Sequence, residues 1–387
     1  MRRLRPLLLA GAVAGAAACS DQGPVASAPA SAGSAPLLAA APGRAVEGSY
    51  IVVLRAGADA RSAAAVAGVS PRYVYASAVN GFAAELGAGQ LAALRSNPAV
   101  EYVEQDQAVE AAATQFGSLW NLDRIDQRAR PLSGSYSYTT TASGVYAYVI
   151  DSGIYMSHSQ FGGRASKAYD AFGGNGQDCN GHGTHVAGII GSSTHGIAKG
   201  VQLRAVRVLD CAGSGTVAGA IAGVDWVRVN RTNPAVANLS FTTAYSATLN
   251  TAVNNLSGSG VFVSVAAGNQ NALACGYSPA SAAAAMTVAA SDSLDARAPY
   301  SNYGSCVDLY APGSDITSTW LNGGTRVLSG TSQAAPHAAG VAALYKATFG
   351  NAASATIDAW LKNNAAAGVI TGNPAGTPNL LLHKGTL

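Results

Sequence analysis

Two rhythms of apolar and polar positions divide the chain. In the first stretch, SYIVVL (49–54) and GFAAEL (81–86) are short apolar runs. VEYVEQDQAVE (100–110) alternates with period two, and all three read as strands. Between them the Ala-rich stretch from Ala58 to Val69 and GQLAALRSNP (89–98), ended by Pro98, read as helices. Strand–helix–strand–helix–strand predicts a small α+β unit, too small for a deep cleft and without a histidine. From 113 onward the pattern changes. VYAYVI (145–150), LRAVRVL (203–209), AVANLS (235–240), VFVSVA (261–266) and MTVAA (286–290) are near-continuous apolar runs, as parallel strands covered on both faces require. Helical stretches at 182–191, 216–230, 246–257 and 332–347 separate them. The alternation predicts an α/β fold: a doubly wound, mostly parallel sheet with helices on both faces and function at the carboxyl ends of the strands.

Composition narrows the classes. Only 11% of the 387 residues are charged, against roughly 25% in an average soluble protein. The 49% hydrophobic content argues against a disordered chain. A net charge of +3 gives no basic footprint for nucleic acid. The N-terminus reads as a signal peptide over 1–19: Arg2, Arg3 and Arg5 precede an apolar stretch from Pro6 to Ala18, and Ala16 and Ala18 give a small-x-small cleavage pattern. Cys19 opens an alternative, lipid anchoring at the cell envelope. Either way the remainder is exported. Residues 20–47, rich in Ala, Ser and Pro, read as a linker. Cys179, Cys211, Cys275 and Cys306 remain, an even number that suggests two disulfides in an oxidising compartment, with three connectivities open.

Three segments hold candidate chemistry. Asp151 ends an apolar strand in VIDSGI (149–154). His182 lies between Gly181 and Gly183 in CNGHGTHVAGIIG (179–191), at a helix start. Ser332 opens an apolar helix in LSGTSQAAPHAAGVAALY (328–345). Singly they read as a turn carboxylate, a packed histidine and an N-cap. Cys179, His182 and His185 at spacing three also admit a metal reading, although the glutamate of HExxH is missing. Taken together, Asp, His and Ser follow one of the few chain orders known for catalytic triads.

DSGI, NGHGTHVAG and GTSQAAPH resemble the three signature blocks of the subtilisin-like serine proteases (peptidase S8). AVRVLDCAGSGT (205–216), AAGN (266–269) and SNYGSCVDLYAPG (301–313) are similar to the proteinase K branch, and most to aqualysin-like enzymes. The resemblance implies a secreted serine endopeptidase made as a precursor, with an inhibitor I9-type propeptide over 48–112 and a catalytic domain over 113–387. It implies Ser332 as nucleophile, His182 as general base and acid, Asp151 as its orienter and Asn269 as an oxyanion donor. It places Gly213, Ser214, Gly215, Ser240, Phe241 and Thr242 along the substrate cleft. It pairs Cys179 with Cys211 and Cys275 with Cys306. It implies no catalytic cofactor, but structural calcium on Ala283, Ala285 and Asp308, and at a second site on Asp123, Asp126 and Gln127 with Ser133 and Ser135 nearby. Partners would be protein or peptide substrates and the chain's own propeptide, with no nucleic acid, and the enzyme would be a monomer.

Two departures stand out. Gln333 follows the nucleophile where the family usually has Met, which implies tolerance of peroxide there. Ser240-Phe241-Thr242-Thr243 replaces Ser-Leu-Gly-Gly, so two threonines could narrow the P1 pocket. A cut after Ala112 would make Val109-Glu110-Ala111-Ala112 the self-substrate, which favours a small P1 residue. A catalytically impaired binding protein, its cleft closed by Thr242 and Thr243, is the alternative.

Overall fold

The computed structural model describes residues 34–40, 45–76, 79–107 and 113–387. The expected signal peptide with Cys19, most of the expected linker and the Val109–Ala112 junction lie outside them. The chain divides into two compact units, one ending at Asp106 and the other running from Gln107 to Leu387.

Alternating apolar positions build the small unit. Val52, Leu54, Phe82, Leu94 and Val103 close its core beneath a five-stranded sheet in the order Leu37–Leu38, Val100–Gln107, Ala45–Leu54, Gly81–Glu85 and Tyr73–Tyr75. The helices Ala60–Val66 and Ala88–Arg95 pack on it. Asp59 caps the first, its carboxylate accepting the Ser62 N–H at 2.7 Å. Two features differ from expectation. Tyr73–Tyr75 is a strand, too short to show a period. Leu37 and Leu38, assigned to the linker by composition, belong to the sheet and pair in parallel with Val103 and Glu104. Arg95 fastens this segment, accepting the Ala35 N–H on its carbonyl at 2.6 Å and donating Nε to the Ala35 carbonyl at 2.9 Å.

In the large unit the apolar runs pair as neighbours in a nine-stranded sheet. Its order is Ala366–Ala367, Leu380–Leu381, Leu309–Pro312, Met286–Ser291, Phe262–Ala266, Ala235–Leu239, Tyr146–Asp151, Gln202–Arg207 and Ala165–Asp170. Every pairing is parallel except the antiparallel pair at the Ala366–Ala367 edge. On one face, His182–Gly191 and Thr331–Phe349 pack with Val149, Val288 and Leu309; on the other, Val217–Asn230 and Ala247–Gly258 pack with Ile150, Ala237 and Val263. This is the expected doubly wound α/β architecture. Thr331–Phe349 is almost wholly buried because its small side chains let it lie against the central strands. Sequence order along the sheet reverses beside Tyr146–Asp151, whose two neighbours, Gln202–Arg207 and Ala235–Leu239, both follow it in the chain and lie on opposite sides of it. Such a switch point opens a crevice at the carboxyl ends of the strands, and Asp151 is the last residue of that strand.

Candidate active site

Asp151 ends its strand fully buried. Its Oδ1 accepts the Ser152 N–H at 2.7 Å and lies 2.8 Å from His182 Nδ1; Oδ2 is buried with no protein partner. A buried carboxylate is costly without compensation, and the imidazole supplies it. With Nδ1 committed to a carboxylate, Nε2 is the ring nitrogen free to accept a proton. Burial lowers the His182 pKa, but the charge and hydrogen bond of Asp151, aided by Asp178, outweigh it and hold the pKa above 6.5.

Close backbone approaches bring the ring there. His182 is the first residue of its helix, whose cap Gly181 has φ +104°; a Cβ on Gly181 would overlap the Trp320 indole. A Cβ on Gly183 would overlap the Gly153 carbonyl oxygen, so both glycines are needed for the helix to start against the Asp151 turn. Sequence reading missed two supports. Asp178, nearly fully buried, accepts N–H groups from Asn180, Gly181 and Thr184 and hydroxyls from Ser152 and Thr184. Ser152 Oγ accepts the Gly183 N–H at 2.9 Å. An acidic residue just ahead of the predicted helix start was the one signal for Asp178.

Ser332 is the second residue of its helix. Its Oγ donates to the Ser240 carbonyl at 2.8 Å, and Ser240 Oγ donates back to the Ser332 carbonyl at 2.8 Å. Asn238 Nδ2 donates to Ser240 Oγ at 2.8 Å. Asn269 lies in the loop after Phe262–Ala266. Its Oδ1 accepts from the Thr331 N–H at 2.8 Å and from Thr331 Oγ1 at 2.9 Å. These bonds fix the amide so that Nδ2 points away from Thr331. A Cβ built on Gly330 would lie 3.4 Å from Asn269 Nδ2 and 3.6 Å from the Ser332 nitrogen. Two nitrogen donors therefore lie close to one another beside Gly330. Asn302, fully buried and missed from sequence, pins this loop by accepting from Gln270 and Ala272 and donating to the Ala267 carbonyl. Gln333 is buried, with Oε1 near Gly330.

Five of the six expected cleft residues, Gly213, Ser214, Gly215, Phe241 and Thr242, line one cavity of about 250 Å³ with Thr243, Leu209, Ala220 and Leu249. The threonines shape this cavity without filling it. Ser240 instead sits buried against the Ser332 backbone. The metal trio does not form: Cys179 is bonded to Cys211, and His185 Nε2 lies against the Ile316 and Arg326 carbonyls. Cys275 is bonded to Cys306.

The donor sets expected for calcium do not fit it as they stand. Asp308 Oδ1 lies 2.6 Å from Lys362 Nζ, and Oδ2 accepts the Thr287 N–H at 2.7 Å. At the second position Asp126 Oδ1 lies 3.0 Å from Lys384 Nζ, and the carboxylate also accepts from Ser137. Asp123 accepts from the Ser133 and Gly134 N–H groups and from Ser133 Oγ. Gln127 Oε1 accepts the Ser133 N–H while Nε2 donates to the Ala129 and Pro131 carbonyls. Asp123 and Asp126 pair with neither Arg124 nor Arg128: Arg124 pairs with Asp295.

A family model described as the subtilase family matches residues 142–383, and one described as peptidase inhibitor I9 matches 49–112. The chain is 47% identical to "Extracellular serine proteinase" of Thermus sp. (strain Rt41A), over 95% of each chain. It is 43% identical to "Proteinase R" of Parengyodontium album, over 90% of this chain and 92% of that one. A solved structure titled "Crystal structure of a cold adapted subtilisin-like serine proteinase" superposes with a TM-score of 0.68 and 47% identity, covering 70% of this chain and 99% of that chain.

Proposed function

The chain belongs to the subtilase family and is a serine endopeptidase that needs no catalytic cofactor, and on that premise we propose that Asp151, His182 and Ser332 are its catalytic triad. The observation that carries this reading is the 2.8 Å contact between the buried Asp151 carboxylate and His182 Nδ1. Ser332 Oγ leaves the Ser240 carbonyl and turns toward His182 Nε2, as catalytic hydrogen bonds often tighten only with substrate bound. His182 Nε2 takes the hydroxyl proton as Oγ bonds to the scissile carbonyl carbon. Asn269 Nδ2 and the Ser332 N–H donate to the developing oxyanion. The proton then passes to the leaving amine as the C–N bond breaks, leaving an acyl-enzyme. Water repeats the sequence in reverse and releases the acid. Asp151 keeps the tautomer and stabilises the imidazolium.

An extended peptide lies along Gly213–Gly215 by strand addition, with an apolar side chain in the cavity beside Phe241, Thr242 and Thr243. The P1 residue is small, in keeping with Ala at the Ala112 junction. The chain is exported by the signal 1–19, and residues 48–112 serve as inhibitor and folding template until the cut after Ala112 frees the catalytic domain 113–387. It acts as a monomer on protein or peptide substrates, without nucleic acid; the net charge of +3 supports the last point.

Purified wild type and Ser332→Ala are compared for fluorophosphonate labelling and N-terminal sequence. Wild type is labelled and begins at Ala113; the variant stays unlabelled and uncut. A folded wild type that takes no label would instead make this a catalytically impaired binding protein. In a peptide panel, Ala at P1 is cleaved faster than Phe; a strong preference for Phe defeats the small-P1 reading.

A further inference from the structure

Asp308 is the carboxylate that the family resemblance assigns to calcium together with the carbonyls of Ala283 and Ala285. The group that meets it is Lys362. Asp358 and Lys362 stand one turn apart on the helix Ser354–Asn364. Lys362 Nζ lies 2.6 Å from Asp308 Oδ1 and 2.9 Å from Asp358 Oδ2, so a single ammonium bridges two carboxylates. Both ends of the Asp308 pair are mostly shielded, with the aspartate side chain 23% and the lysine 33% exposed. Ala283, Ala284, Asp358 and Lys362 line one cavity, so Lys362 borders the same space as the residue of an expected carbonyl ligand.

Calcium needs six to eight oxygens with lone pairs turned toward it. Both oxygens of Asp308 already accept a donor, Lys362 on one and the Thr287 N–H on the other. An entering divalent ion would have to displace the ammonium from two carboxylates and then sit beside the charge it displaced. We propose that the Lys362 ammonium is the resident cation of this position, tethered to the chain in place of calcium. A bound ion stabilises only in proportion to its free concentration; a lysine on the same chain acts at any concentration. Lys384 against Asp126 is a second, separate case of an ammonium at an expected calcium carboxylate. The inference does not depend on the catalytic assignment.

Calcium bound per chain is counted by equilibrium dialysis on the full chain carrying Ser332→Ala, which stops self-digestion, and on the same chain with Asp308→Asn, with Lys362→Ala, or with both. The parent and Asp308→Asn hold the same number of ions. Lys362→Ala gains one ion per chain, and adding Asp308→Asn removes that gain. Loss of one ion in Asp308→Asn, or no gain in a folded Lys362→Ala, overturns the proposal. If Lys362→Ala does not fold, Lys362→Met, which keeps the aliphatic stem, is counted in its place, and the comparison of parent with Asp308→Asn still decides.

Discussion

His182 is pulled two ways. Burial favours the neutral ring, while the Asp151 carboxylate and its hydrogen bond favour the cation, and the second influence prevails. The proposed base must be neutral to accept the Ser332 proton. The acid limb of kcat/KM for a peptide substrate is therefore expected to rise with pH through a midpoint above 6.5. Asp151→Asn keeps the burial and removes the charge, so its residual activity should show a lower midpoint as well as a lower rate. A wild-type midpoint at or below 6.5, or one unmoved by the substitution, would count against Asp151 as the orienting group. At this scale Asp151, His182, Ser332 and Asn269 could be picked out because their flanking letters are distinctive. Asp178, Ser152 and Asn302 could not. Each works by satisfying backbone N–H or neighbouring hydroxyl groups, and which of these lack a partner is known only once the loops are folded.

The elements of the site are set by how closely backbones approach. Gly183 lets the His182 helix begin directly against the Gly153 carbonyl. Gly183→Ala should push that helix start outward and misplace the imidazole. Misplacement of a catalytic group by about 1 Å can cost roughly 100-fold, so kcat/KM should fall by about that factor with little change in circular dichroism. Activity within a fewfold of wild type would show that the helix start has slack. Long apolar runs made the five central strands legible, since burial on both faces leaves no polar position to blur the signal. Tyr73–Tyr75, Ala165–Asp170 and the antiparallel pair Ile316–Thr319 with Thr325–Leu328 were not. The last carries exposed and buried positions set by the His185 neighbourhood, whose imidazole meets the Ile316 and Arg326 carbonyls. Leu37 and Leu38 had linker composition, yet they pair with a strand more than sixty residues away.

Stability of the whole molecule should respond to pH through two histidines outside the proposed chemistry. Burial pushes His185 and His337 down to about 4. His337 faces Asn121 and the Gln333 carbonyl; His185 faces two further carbonyls. The unfolded chain takes up these protons near 6.5, and the folded chain does so only near 4. The stabilisation is therefore complete above 6.5 and is lost as pH falls from 6.5 to 4, by about 3 kcal/mol for each histidine. The denaturant midpoint of the Ser332→Ala chain should drop across that window, and His337→Asn should flatten the drop; a flat midpoint would refute it. By itself the sequence determined the α/β class, the letters that carry the family resemblance and the two-part organisation, because apolar period and distinctive local motifs are properties of neighbours along the chain. The tertiary structure alone decided which oxygens and nitrogens face one another: Lys362 against Asp308, Arg124 against Asp295, and Asn269 turned by Thr331. Electrostatic and hydrogen-bonding partners are chosen by distance through space, and residues far apart in a linear string become neighbours only when the sheet has formed.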